Sequence, residues 1–442
     1  VTGSSLPSLT KNGTRIVANQ AGVTLDGTGL AGADGLTVIA SSIDIKGLWI
    51  SNFQDDGIAF GAAGSATIGG STPSDANRIM SNGAYGIHFA SNAGTSVIKG
   101  NYIGTYNGFG DRANTDAGIF VVGTGALTIG GLCTGSTDGV SIYEGNFIGF
   151  HTTRGIDIQA GSPIIRGNYI GTNRSGVNMG NKYAITIAGG GDVTVGGSTY
   201  GQGNTLGFSL LTQIVHEPTS GTHVILGNYI GTTYDAGSWL NIGPATHNIY
   251  VNATGGTLTI GGSTSGGTLN SNFIGYADEI GSAGIYIADG SCTIQGNYFG
   301  CERGVSSFPE NNHSIYIAAA ADNITIGGST PGQGNVFGKT ASGGGSNIYY
   351  AATSGTQNIL GNWFGVTRDA AAGGLANTNT GNDTYYGIQI TTTVQHAGLT
   401  IGGTAAGSAN IFGNYTSLGL SNAILINNGN ATILGNWFGA AP

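Results

Sequence analysis

Residues 284–300 read GIYIADGSCTIQGNYFG. In Ile285–Ile287, and again in Cys292–Ile294, inward and outward side chains alternate with period two, the pattern of strands with one buried face. A small turn at Asp289–Gly290 separates them, and Gly296–Asn297 then marks a bend. Strand, turn, strand, corner and variable loop make one coil. The corner recurs as GNYIGT at 100–105, 167–172 and 227–232, as GNYFGC at 296–301 and as GNWFGV at 361–366. TIGG or a close variant ends at Gly70, Gly131, Gly197, Gly262, Gly328 and Gly403, with a GN-aromatic phrase in each interval. The interval is about 66 residues and contains two strand phrases of the GI-x-I form, so one coil takes about 33 residues.

Short strands at a fixed period bury their apolar rows only by stacking on the next coil, which defines a solenoid. The expected fold is all-β, a right-handed parallel β-helix of about 12–13 coils, the hand following from the rule for parallel crossovers. At about 4.8 Å per coil it makes a rod of roughly 60 Å. Separate sandwich domains would require composition breaks and linkers, and the sequence has none. Residues 1–442 thus read as a single domain, with an irregular start over 1–35 and repeat coils over 36–442. At each corner Gly accepts left-handed backbone angles and Asn tolerates them. Stacking predicts an amide ladder of Asn101, Asn168, Asn228, Asn297, Asn362 and Asn436, interleaved with Asn77, Asn146, Asn204, Asn272, Asn335 and Asn410. The aromatic and the Ile or Phe that follow are expected to fill the interior.

Composition narrows the function classes. Glycine supplies 85 of 442 residues, which disfavours long helices, and only 8% of residues are charged. The net charge of −9 is spread thinly without a basic run, which argues against nucleic acid as a partner. No apolar stretch is long enough to span a bilayer as a helix. Cys133, Cys292 and Cys301 have neither metal-site spacing nor an even count, and no metal or cofactor is expected. Sequons at Asn12, Asn173, Asn252, Asn312, Asn323, Asn382, Asn414 and Asn430 permit glycosylation of a secreted protein and occur at about the chance rate.

With these motifs the chain resembles right-handed parallel β-helix proteins of the pectate-lyase-like superfamily, and most of all the GNYIGT/TIGG repeat regions of large secreted and cell-surface proteins. The resemblance runs from about Leu36 to Gly439. It implies the fold and leaves the activity open, because the superfamily includes polysaccharide lyases, glycosidases, tailspikes, adhesins and structural modules. Its enzymes work on the outer face of a stacked sheet.

The outward residues of the GI-x-I strands are Ala59, His88, Phe120, Asp157, Thr186, Val215, Tyr250, Tyr286, Tyr316, Tyr349, Gln389 and Leu425. Only His88 and Asp157 among them suit acid–base work. They fall two coils apart, about 10 Å by strand spacing, within the range of an inverting glycosidase yet not a carboxylate pair. Asp55–Asp56 and Glu302–Arg303 read as solvated loops, and His216 and Glu217, being adjacent in a strand, point to opposite faces. Tyr250, Tyr286, Tyr316 and Tyr349 form an aromatic stripe: cross-strand packing, a subunit contact or a glycan platform.

The chain starts at Val1 without Met and closes on a GNWFG corner with no capping helix. That suits a processed or excised segment, or ends that stack on the next molecule. The sequence favours an extracellular structural or surface protein over an enzyme, with head-to-tail or lateral self-association and cell-surface polysaccharide as partner classes. The alternative is a polysaccharide lyase or glycosidase, or a glycan-binding tailspike-like or adhesin-like module.

Overall fold

The computed structural model of the protein describes residues 5–18, 22–61, 64–90, 94–134, 142–233, 240, 247–263, 270–301, 310–338, 340–341, 344–366, 386–393, 398–413 and 422–439. The chain divides into two compact units, Val1–Leu210 with Thr219–Thr222, and Leu211–Pro218 with His223–Pro442. Each is an all-β parallel solenoid whose coils visit three faces in turn. Among the described residues the only helical turn is the 3-10 turn Pro73–Asp75.

In the first unit, face one runs in parallel register from Leu36–Val38 to Tyr183–Ile187. Face two begins at Arg15–Val17 and face three at Val23–Asp26. These strands pair with Ile43–Lys46 and Leu48–Ser51, so coiling starts inside the segment expected to be irregular. The sequence hid this coil because it carries neither a GI-x-I nor a GN phrase. In the second unit, face one runs from Thr212–His216 to Asn422–Asn428, face two reaches Thr432–Leu434 and face three runs from Tyr229–Ile230 to Trp437–Phe438. Strands Ala283–Gln295 and His313–Gly327 continue through faces one and two without a break, so the bend between those faces is shallow there.

Alternation sends one residue in two to the core. Ile58, Ile87, Ile119, Ile156 and Ile185 form one inward row, and Ile249, Ile285, Ile315, Ile348 and Ile388 another, all with no exposed surface. On face three of the second unit the inward row starts with Ile230 and Ile274 and continues as a phenylalanine stack, Phe299, Phe337, Phe364, Phe412 and Phe438, with centroids 5.0, 4.7, 4.6 and 5.0 Å apart. The expectation that both residues after GN fill the core is corrected by the same alternation. The Ile or Phe points in; of the aromatics before it, Tyr102, Phe147 and Tyr229 are half-buried on the outer side, whereas Tyr169 and Tyr298 are buried as expected.

Both repeated phrases are corners. The glycine before Asn has a positive φ at Gly100, Gly167, Gly227, Gly296, Gly361 and Gly435, for instance +67° at Gly100 and +69° at Gly296, whereas the ladder asparagines do not enter the left-handed region. Their amides are spent on hydrogen bonds. In the first unit Asn77, Asn101, Asn146, Asn168 and Asn204 are joined Nδ2 to Oδ1 at 2.9–3.0 Å. In the second, Asn228, Asn272, Asn297, Asn335, Asn362, Asn410 and Asn436 do the same. Each also donates Nδ2 to a strand carbonyl, so the corner backbone keeps its partners inside an apolar wall.

Candidate functional site

Face one of the first unit carries the outward His88 and Asp157. Ala59, His88, Phe120, Asp157 and Thr186 occupy successive coils in register, with Phe120 between His88 and Asp157. His88 and Asp157 do not meet. The partner of His88 is Asp56, one coil earlier, whose Oδ2 lies 2.9 Å from Nδ1. Asp56 is buried, not solvated as expected for the QDDG loop, and its Oδ1 accepts the Tyr85 backbone N–H at 3.0 Å. The carboxylate thus holds one imidazole nitrogen, and the ring edge carrying Nε2 is left on a side chain that is 29% exposed. Tyr85 stacks on Phe120 at 4.4 Å and meets His88 edge-on at 5.4 Å, so aromatic rings wall the pair.

Around Asp56 the carboxylates of Asp34 and Asp55 gather within 4.8 Å of one another. Burial, reinforced by the Asp56 and Asp55 charges, raises the Asp34 carboxyl above its ordinary value. These three could offer oxygen ligands to a cation, one of them, Asp56, being already engaged by His88. Asp157 is raised mainly by burial, against the pull of Gln159 Nε2 at 2.8 Å and of Arg154, whose Nη1 is 3.5 Å away. The chemistry available here is one imidazole oriented by Asp56, with Asp157, the acid on the outward row, separated from it by the Phe120 ring.

Face one of the second unit is different. Tyr250, Tyr286, Tyr316 and Tyr349 are in register and half-buried, with centroids 5.7, 4.8 and 4.6 Å apart and planes within 18°. His247 stacks on Tyr286 at 4.4 Å, and His313 lies 5.0 Å from Tyr349. Burial pushes both histidines down to about 4, so they are neutral at pH 7. The ring faces that a sugar would stack against are covered by neighbouring rings, and edges and hydroxyls face outward.

Of the sequons, Asn173 and Asn312 are buried, and Asn173 Nδ2 is bonded to the Gly108 carbonyl at 2.8 Å. Asn12 and Asn323 are exposed; Asn252 and Asn430 are half-buried. Asn382 and Asn414, like Glu302 and Arg303, lie outside the described residues. The three cysteines are buried thiols outside any disulfide, and burial pushes the Cys292 thiol up to about 12. His216 is buried at the end of strand Thr212–His216, and Glu217, just beyond that strand, is exposed. A second polar column went unread in the sequence: Asn82 bonds Asn114 at 2.9 Å, and His151 bonds Asn181 through its backbone at 3.0 Å. Its signal is a polar residue four or five positions before GI-x-I, in loops of unequal length.

No protein-family model and no curated protein matches this chain.

Proposed function

We propose that the protein is an extracellular structural or cell-surface protein whose stacked coils self-associate, end to end or side by side, into a filament, sheath or layer. The observation that carries this is the Tyr250–Tyr286–Tyr316–Tyr349 stack. It fills with neutral, mutually packed rings the outward sheet where an enzyme of this fold would gather its acids and bases. Such a stripe adds stiffness, about 0.5–1.5 kcal/mol per ring pair, and offers a partner a straight row of phenol edges. Sparse charge and exposed sequons at Asn12 and Asn323 suit a secreted surface.

Negative-stain electron microscopy over a concentration series tests it, together with Tyr286→Ser/Tyr316→Ser. Regular assemblies that the double variant dissolves without loss of its β circular dichroism are the expected result. Monodisperse particles at every concentration would overturn self-assembly. The second reading, polysaccharide processing, is favoured by the Asp56–His88 pair. It predicts that His88→Ala abolishes a depolymerising activity measurable on a polysaccharide panel.

A further inference from the structure

We propose that a groove on face three of the second unit binds a proline-rich peptide in the polyproline II conformation. The groove lies apart from the tyrosine stack and from the Asp56–His88 pair. It has a volume of about 470 Å³ and is lined by Trp363, Ile411 and Trp437 beneath a wall containing Thr330, Pro331 and Ala409. The other lining residues are glycines and Ser329, so no charged group or carboxamide enters it.

Its shape follows from an interruption in an aromatic row. Elsewhere on this face outward rings follow one another and stack, as Tyr229, Phe273 and Tyr298 do at 5.3 and 5.1 Å. Here the row becomes Val336, Trp363, Ile411, Trp437 in register. Aliphatic side chains between the indoles leave them two coil steps apart, about 9.6 Å, over an Ile411 floor. The wall is preformed. Gln333 accepts the Thr330 N–H on its side chain and donates its own N–H to the Thr330 carbonyl, both at 3.1 Å, which fixes the turn carrying Pro331.

Two features select the ligand. A polyproline II helix rises about 3.1 Å per residue, so prolines three apart lie about 9.3 Å from each other, the spacing of the two indoles. A peptide laid along the coil stack would set successive prolines of one edge against Trp363 and Trp437. Proline also brings no N–H to desolvate, and its backbone carbonyls stay in water or accept an indole N–H. A pyranose of similar size carries several hydroxyls that need partners, and the side chains of this lining offer only the hydroxyls of Ser329 and Thr330 and the indole N–H groups of Trp363 and Trp437. The stiffness of polyproline II keeps the ordering cost low for such a shallow site.

The test titrates the full chain with decaproline, following tryptophan fluorescence, with a Gly-Ser peptide of equal length and cellohexaose as controls. A saturable response to decaproline alone is expected, weakened at least about tenfold by Trp437→Ala and partly restored by Trp437→Phe. Trp437 is 46% exposed, so the fold should survive, checked by circular dichroism. Thr330→Arg, which crowds the groove from a surface loop, should block binding by the same measure. No response to decaproline, an equal response from the Gly-Ser peptide, undiminished binding by both Trp437→Ala and Thr330→Arg, or saturation by cellohexaose in its place would each overturn the proposal.

Discussion

Asn297 shows what one residue of the repeated phrase does. Its Oδ1 accepts from the Asn272 N–H at 3.2 Å and from Asn272 Nδ2 at 2.9 Å, while its Nδ2 reaches the Ile260 carbonyl at 2.9 Å and Asn335 Oδ1 at 3.0 Å. Asn297→Ala orphans a buried backbone donor, a buried amide and a carbonyl at once. At about 1–3 kcal/mol per unpaired buried group, the loss should be at least about 3 kcal/mol, read as a lowered urea midpoint. An unchanged midpoint would mean that the ladder adds nothing to stability. Gly296→Ala should also destabilise, because φ there is +69° and a Cβ would run into the Gly262 carbonyl. The phrase stood out in the sequence because a corner that must repeat its geometry repeats its residues. The Asp56–His88 contact did not, because its partners are 32 residues apart, one in a loop and the other on a strand of the next coil, and nothing in a single sequence registers that loop against that strand.

Strands are the next scale, and here alternation was legible while its consequence for the shortest strands was not. The outward residues of the GI-x-I strands lie in register as the period-two pattern implies, His88 beside Phe120 and Tyr286 beside Tyr316. On face three a strand holds as few as two residues, too short to display a period, so Tyr102 read as core although it stands outside. Strand Thr212–His216 departs from the inward apolar pattern. His216 occupies the row continued by Val251 and Ile287, is 1% exposed and meets His223 edge-on at 4.8 Å. Burial, with His223 adding to it, pushes His216 down to about 3 from an ordinary value of 6.5. The folded state therefore refuses a proton that the unfolded state accepts. Stability must fall as pH drops below about 6.5, and the loss must grow until about pH 3. His247, His313 and His151, each pushed down to about 4 chiefly by burial, act in the same direction. His216→Val, which restores the row, is expected to move the acid-unfolding midpoint to lower pH by circular dichroism. A midpoint that stays put would show that His216 is not kept neutral by the fold.

For the molecule as a whole, sparse charge is the property that bears on assembly. With 22 acidic against 13 basic residues the net charge at pH 7 is −9, and the isoelectric point is about 5.0. Mutual repulsion at neutral pH is the main long-range force opposing association, since few charged side chains are available to specify a contact. Two changes of solvent should then promote assembly by the same route. Raising salt to about 1 M at pH 7.5 shortens the screening length to about 3 Å, and lowering pH toward 5 removes the net charge itself. In sedimentation velocity at fixed concentration, both should shift the protein to faster-sedimenting species. The acid arm carries a second effect, because the buried histidines begin to favour opening below about pH 6.5. His216→Val separates the two. Assembly driven by charge neutralisation keeps its pH midpoint in that variant, whereas aggregation from opened coils moves to lower pH with the unfolding transition. Sedimentation that ignores salt at pH 7.5, and follows the unfolding midpoint in both proteins, would mean that the native surface does not self-associate.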